Sequence, residues 1–197
     1  MKANNFEYGH RKLVHLLIVA IAFLTYLVDR DDIVWRFVKD STAPRVWERS
    51  LFMIATVAIA VGAAICTWAR ARRGRDISHD LGQNRDLRHQ QYLGELLFAI
   101  GLGSLAPLWG FVILVAAEAL RLFRLMRRED DQTPPPAFSS LAKSIPQWET
   151  ALRQEAGKWG MLLTMIVFVI TLKDRLAEVL AAASLLIGLF LNAPFFD

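Results

Sequence analysis

Residues 92–120 read YLGELLFAIGLGSLAPLWGFVILVAAEAL. The stretch consists of two apolar runs, Tyr92–Leu105 and Leu108–Leu120, that are separated only by Ala106 and Pro107. Proline inside a helix removes a backbone hydrogen bond and clashes with the preceding turn. We therefore predict a helical hairpin over residues 92–120 that turns near Pro107, and a single long helix kinked at that proline is the alternative.

Four more apolar blocks flank this hairpin: Leu13–Val28, Leu51–Trp68, Trp159–Leu172 and Leu176–Leu191. The chain is 54% hydrophobic and 21% charged, against about 45–50% and about 25% in soluble domains, and the excess lies in these blocks. A single cysteine excludes an internal disulfide and a cysteine zinc site. We predict one all-α, polytopic membrane domain over residues 1–197 with about six transmembrane helices.

The charges at the ends of the blocks predict the topology. The net charge is +4 and the pI is near 9.5, which could suggest nucleic acid, but basic residues at the ends of apolar runs are typical of helix orientation in a bilayer. Residues 29–49 balance five basic against five acidic side chains, whereas residues 70–88 and 121–128 are rich in arginine. We expect both termini and residues 124–158 to be cytoplasmic, in a multi-pass membrane protein (of the inner membrane in a bacterium), with the bilayer and no nucleic acid as partner.

The first apolar block is followed by the acidic segment Asp29–Asp32 instead of a small-residue cleavage site. We therefore expect it to be a membrane helix and no cleaved signal peptide. Residues 129–157 form a cytoplasmic loop with a stiff spacer at Pro134–Pro136. Ser144 as cap and Pro146 in the first turn then predict an amphipathic helix on the membrane. The apolar face of that helix consists of Trp148, Leu152 and Trp159.

Candidate binding residues lie at the cytoplasmic mouth of the hairpin. Arg88, His89 and Tyr92 precede its first arm, and Arg121 and Arg124 end its second arm. A cationic mouth lined by aromatic side chains suits an anionic or zwitterionic cofactor. The alternative is that the arginines reach the membrane surface, the histidine is solvated and the tyrosine belongs to the interfacial aromatic belt.

Two carboxylates lie inside the apolar arms at nearly equal depth. Glu95 is 12 residues before Pro107, and Glu118 is 11 residues after it. A carboxylate within the apolar zone is costly and by default marks a functional site. The alternative is that each reaches the interface and pairs with a nearby arginine.

The residues around this mouth resemble a known family. Residues 81–94 read LGQNRDLRHQQYLG and are similar to the segment of isoprenylcysteine carboxyl methyltransferases that runs Gly-Pro-Tyr and then Arg-His-Pro-x-Tyr-x-Gly. The likeness continues through the apolar hairpin into a basic cluster followed by acids, and it covers residues 81–131. The matching positions in this chain are Arg88, His89, Tyr92, Gly94, Arg121, Phe123, Arg124, Glu129 and Asp130.

This resemblance implies an integral membrane methyltransferase that uses S-adenosylmethionine and a lipidic or prenylated acceptor. Residues 81–131 are then the methyltransferase-like core, and Arg124 with Glu129 corresponds to the arginine–glutamate pair near the reacting centre. The resemblance and the two carboxylates described above together predict the cofactor-binding residues, and no metal ligand is predicted. The predicted cofactor-binding residues are Arg88, His89, Tyr92, Gly94, Glu95, Glu118 and Arg121. A Gly-x-Gly at Gly101 and Gly103 lies in an apolar helix, where it predicts close helix packing.

The chain also departs from the family pattern. Gln90 stands where the family has proline, and Asp130 and Asp131 stand where glutamates are expected. Residues 159–191 form an additional helix pair in place of the usual C-terminal pattern. Small residues at 181–184 favour helix packing against a partner through residues 176–191. A non-catalytic scaffold or accessory subunit is therefore an alternative function, and a small transporter is a less favoured third.

Overall fold

The computed structural model describes residues 11–72, 81–132 and 146–171, apart from the side chains at 11–12, 81–85 and 129–132. Within these residues every named element is helical, which confirms the all-α prediction. The helices are α1 (Arg11–Leu24, continued by a 3₁₀ turn at Thr25–Leu27), α2 (Ile33–Val38), α3 (Pro44–Arg72), α4 (Leu81–Gly103), α5 (Leu108–Gln132), α6 (Trp148–Gln154) and α7 (Ala156–Thr171).

α4 and α5 form an antiparallel hairpin and not one kinked helix. Close to the turn, a Cβ on Gly103 would lie 2.9 Å from the ring of Phe111. Far from the turn, Tyr92 of α4 packs against Leu122 and Leu125 of α5. Contacts at both ends show that the two arms lie side by side along their length, so the chain reverses direction at Pro107.

The hairpin turn is tied to the segment that follows α1. The Tyr26 hydroxyl donates to the carbonyl of Leu105, and the Ile33 N–H donates to the carbonyl of Ala106 at 2.9 Å. Asp32 caps α2 by accepting the Trp35 N–H at 2.7 Å. These bonds place residues 25–33 and the hairpin turn at the same end of the bundle.

α3 is the central helix, and glycines let it approach α4 very closely. A Cβ on Gly62 would lie 2.6 Å from the carbonyl oxygen of Gly94, and one on Gly101 would lie 2.7 Å from that of Ala55. Only glycine permits two helix backbones to come this near. The predicted close packing at Gly101 is therefore present, and the core around it contains Phe52, Ile59, Phe98, Met165 and Phe168.

The family-like segment is helical in this chain. α4 begins at Leu81, well before the predicted apolar arm, and runs without a break through Gln90. A proline at position 90 would lack the N–H that an α-helix needs there and would clash with the turn before it. Glutamine keeps that N–H, so residues 81–94 continue the hairpin arm as helix.

The helix predicted after the proline spacer begins later than expected. Pro146 was predicted in its first turn, but α6 begins at Trp148 and Gln147 is its N-cap residue. The Gln147 N–H donates to the carbonyl of Ala71 at 2.8 Å, which ties this point to the end of α3 instead of to a helical turn. Ser144, the predicted cap, lies outside the described residues.

Among the described helices, α3 alone, with 29 residues, is both long and apolar enough to cross a membrane. The apolar helices at Leu13–Leu27 and Ala156–Thr171 are shorter. The last predicted block, Leu176–Leu191, lies outside the described residues. One candidate span is thus present, and six crossings stay a prediction.

Candidate functional site

The two carboxylates predicted at equal depth in the hairpin share one arginine. Nη2 of Arg121 lies 2.6 Å from Oε2 of Glu118 and 3.0 Å from Oε2 of Glu95. The Arg121 Nε donates to the same Glu118 oxygen at 2.8 Å. Arg121 is 5% exposed and Glu118 is fully buried. Both carboxylates therefore pair with arginine, as the alternative interpretation expected, but they do so inside the bundle.

Side chains on α1 and α4 satisfy the remaining carboxylate oxygens. Oε1 of Glu118 lies 2.7 Å from Nδ1 of His15 on α1, and Oε1 of Glu95 accepts from the amide of Gln91 at 3.3 Å. A buried carboxylate requires such partners because it has lost its water. The contact with His15 adds α1 to the hairpin site.

A second buried carboxylate, Glu155, lies at the junction of α6 and α7 and is 2% exposed. Nε of Arg70 lies 2.6 Å from Oε1 of Glu155, and Lys158 pairs with its other oxygen. Nζ of Lys158 also lies 6.0 Å from the ring centre of Phe98, which is three residues after Glu95 on α4. The second cluster therefore lies beside the helix that carries Glu95.

Together these groups form what we call the charged layer, a set of three carboxylates and three cations inside the bundle. The three carboxylates and the three basic side chains of this set balance in charge. The buried Cys66 lies beside it, with Sγ 3.4 Å from the carbonyl oxygen of Gln91. The members of the charged layer are Glu95, Glu118, Glu155, Arg70, Arg121 and Lys158.

Four residues at or beside this layer are absent from the predicted site: His15, Arg70, Glu155 and Lys158. His15 lies within an apolar block, and a titratable residue in such a block is a signal in itself. Glu155 and Lys158 form an i,i+3 pair of opposite charge just before another apolar block, which is a weaker signal. Nothing in the local sequence indicates that Arg70 would reach Glu155.

Several residues of the predicted cofactor site lie within the packed interior. Tyr92 is 3% exposed among leucines of α5, so it is not part of an interfacial aromatic belt. A Cβ on Gly94 would lie 2.8 Å from Sγ of Cys66, which gives Gly94 a packing role. Since Arg121 is held by two carboxylates, it adds no free positive charge to the mouth. That these residues also border a cofactor stays a prediction.

Other predicted residues are accessible at the end of the hairpin. Arg88 and His89 on α4 and Arg124 on α5 are partly exposed, and they lie beyond the charged layer as seen from the turn. The side chain of Glu129, the predicted partner of Arg124, lies outside the described residues. Within the described residues no three His, Cys, Asp or Glu side chains are grouped as metal ligands.

The arrangement fits S-adenosylmethionine in part. The cofactor has a sulfonium, an ammonium and a carboxylate. The partly exposed Arg88 and Arg124 suit the carboxylate, and the partly exposed Glu95 suits a cation, although it already pairs with Arg121. Tyr92 and Gly94, in contrast, contact neighbouring helices. Comparison of the chain with protein-family models, curated proteins and solved structures found no match.

Proposed function

We propose that the chain is a multi-pass membrane protein whose bundle is surrounded by lipid. Large apolar side chains are exposed on four helices, where a soluble monomer rarely has extended apolar patches. Such faces are stable when lipid covers them. The exposed apolar residues include Leu17, Ile21 and Leu24 on α1, Met53, Ile54 and Val57 on α3, Val112 and Leu120 on α5, and Leu163 and Ile170 on α7.

The charge distribution supports a cytoplasmic location for the arginine-rich end. The end that carries the hairpin turn and residues 29–49 has balanced charges. The opposite end carries Arg72, Arg88, Arg124 and Arg127. Since basic segments stay on the cytoplasmic side, the active face is the one beyond the charged layer.

For this face we propose S-adenosylmethionine-dependent methyl transfer to a lipidic or prenylated acceptor. The observation that carries the proposal is the antiparallel hairpin, because it brings Arg88 and His89 of one family-like motif and Arg124 of the other to the same end. The charged layer beneath them fixes the two arms relative to each other. A binding site made from both motifs requires such a fixed register.

The chain's own residues would act by binding and orientation. Arg88 and Arg124 suit a carboxylate, and the Glu95 carboxylate suits a cation. The bound cofactor would supply an electrophilic methyl group, and alignment in a site with little water is the main source of acceleration for such a transfer. The exposed apolar faces of the hairpin would lie against the lipid tail of the acceptor.

Calorimetric titration of S-adenosylmethionine into the detergent-purified full chain tests the proposal. We expect saturable binding that Arg124→Ala weakens by about tenfold, the value of one charge-assisted hydrogen bond, and that His89→Ala also weakens. Gln90→Ala and Arg127→Ala alter exposed neighbours on the same helices and are the matched controls. Absence of binding by the folded wild-type protein overturns the proposal.

A second candidate, a non-catalytic scaffold or accessory subunit, is favoured by one specific observation. Tyr92, Gly94 and Arg121 are all engaged with neighbouring helices, so these motif residues already have a structural role. This candidate predicts that the protein leaves native membranes in a mild detergent together with a stoichiometric companion. Recovery of the bare chain, with cofactor binding, would favour the methyltransferase.

A further inference from the structure

One side of α7 carries large apolar side chains that the rest of the described bundle leaves uncovered. Leu163, Ile166 and Ile170 are 64%, 38% and 69% exposed, and their spacing places them on one side of the helix, which we call the outer face of α7. On the other side, Phe168 packs edge-to-face on Phe52 of α3, with the ring centres 4.9 Å apart. The outer face is therefore free for another occupant.

The chain that follows α7 is apolar and of matching length. The described residues end at Thr171, and residues 173–175 read KDR, which predicts a short polar turn. The apolar block Leu176–Leu191 then has 16 residues, as α7 has. Two helices joined by a few residues are normally antiparallel neighbours. The block therefore has the length and the attachment point that it needs to return along α7.

Small residues of this block match the outer face of α7 position by position. Each residue of the outer face lies as many residues before Lys173 as one small residue lies after Asp174, namely three, seven and ten. The pairs are Ile170 with Ala177, Ile166 with Ala181, and Leu163 with Ser184. In an antiparallel hairpin, residues at equal distances from the turn lie at the same depth. Large side chains would thus meet small ones, which permits close helix packing.

The small residues of the block also belong to one side of it. In a helix, their spacing of four and three residues would place them on one face, and Gly188, four residues later, would extend that face. Larger side chains would lie on the opposite face: Val179, Leu186 and Phe190. The block thus has one side that fits α7 and another that fits lipid.

We infer that residues 176–191 form a helix that packs antiparallel on the outer face of α7, with its small residues against Leu163, Ile166 and Ile170. The chain itself then covers α7, and lipid covers the exposed faces of α1, α3 and α5. The small residues are used within the chain and are not free for a partner subunit. Residues 192–197 return to the end of the bundle where α7 begins. The inference does not depend on methyl transfer.

Disulfide cross-linking of the full chain, purified in a mild detergent, tests this placement. The background is Cys66→Ala, which removes the only native thiol. A disulfide requires Cα atoms within about 7 Å, so we expect Leu163→Cys with Ser184→Cys to form an internal cross-link on mild oxidation. The matched control is Leu163→Cys with Leu186→Cys, since position 186 lies at nearly the same depth but on the opposite side of the helix. We expect at least about fivefold less cross-link in the control.

Three results overturn the inference. A covalent dimer in place of the internal cross-link shows that a second copy occupies the outer face. Equal internal cross-linking in the control shows that the small-residue side does not face α7. The third result is no internal cross-link in Leu163→Cys with Ser184→Cys, nor in Ile166→Cys with Ala181→Cys, at unchanged helical content. It shows that lipid or detergent covers the outer face.

A second measurement uses no cysteine. Ala181→Leu adds carbon atoms where Ile166 meets the helix, and we expect it to lower the melting temperature of the full chain by roughly 2–4 °C. Ile166→Ala in the same chain should restore part of this loss by making room. Ala182→Leu, at a position away from the small-residue side, should leave the melting temperature unchanged. An unchanged melting temperature in Ala181→Leu, or an equal loss in Ala182→Leu, contradicts the contact.

Discussion

His15 and Glu118 are 103 residues apart in the sequence, yet Nδ1 of His15 lies 2.7 Å from Oε1 of Glu118. The other oxygen of Glu118 is held by Arg121, so this fully buried carboxylate has no unused oxygen. One side chain therefore connects α1 to the hairpin and fixes the arginine that joins its two arms.

We expect Glu118→Ala to destabilise the protein strongly. Without this carboxylate, the buried Arg121 keeps only Glu95 as a partner, and breaking a buried ion pair from one side costs about 3–5 kcal/mol. The loss is measured as the change in the free energy of unfolding in detergent. Glu149→Ala removes an exposed carboxylate at the same end of the bundle and should change it by less than about 0.5 kcal/mol.

A double variant distinguishes the contribution of the ion pair to stability from the contribution of side-chain packing. Replacing both Glu118 and Arg121 with leucine removes the charges together, and we expect it to be more stable than Glu118→Leu alone. If the loss of stability in the double variant equalled the sum of the losses in Glu118→Leu and Arg121→Leu, the interaction between the two side chains would be contradicted.

Gly94→Ala should push α3 and α4 apart. The new Cβ would lie 2.8 Å from both Sγ of Cys66 and the carbonyl oxygen of Gly62, and backbone atoms move only when the whole helix does. We expect a loss of about 1–3 kcal/mol, measured by the same unfolding titration. Ala64→Val adds carbon atoms at an exposed position of α3 and should have little effect, so a loss as large there would contradict the close approach.

Tyr26→Phe should weaken the attachment of α1 to the hairpin turn. The variant removes the hydroxyl that donates to the carbonyl of Leu105 and leaves that carbonyl without this donor. The expected cost is about 1 kcal/mol, which lowers the melting temperature by roughly 2–4 °C in a protein of this size. Phe37→Ala, at a side chain that is 72% exposed, is the control, and an unchanged melting temperature in Tyr26→Phe would contradict the bond.

The two ends of the bundle should label from opposite sides of the membrane. Cys66 is the only cysteine and is buried, so the native chain should resist a membrane-impermeant maleimide. In intact cells we expect Phe37→Cys to react with the reagent from outside. Arg153→Cys, exposed at the arginine-rich end, should react only after the membrane is opened. Labelling of both variants from the same side would contradict the topology.

The hairpin and the depth of its carboxylates were predictable because they depend on neighbouring residues. Pro107 sets the turn, and counting residues from it places Glu95 and Glu118 at the same level. Gly101 was likewise predictable, since a glycine in an apolar helix has few roles other than packing. The start of α6 was not, because Gln147 bonds to Ala71 far away in the sequence.

The sequence by itself determined the helical class, the apolar blocks and the charge difference between the ends, because helix periodicity and hydropathy are local properties. Only the tertiary structure decided that Arg121 faces two carboxylates instead of a cationic mouth, that His15 contacts Glu118, and that Lys158 and Glu155 belong to the charged layer. The physical reason is that a buried charge selects its partners across helices, by distance and loss of water. Spacing along the chain does not specify that choice.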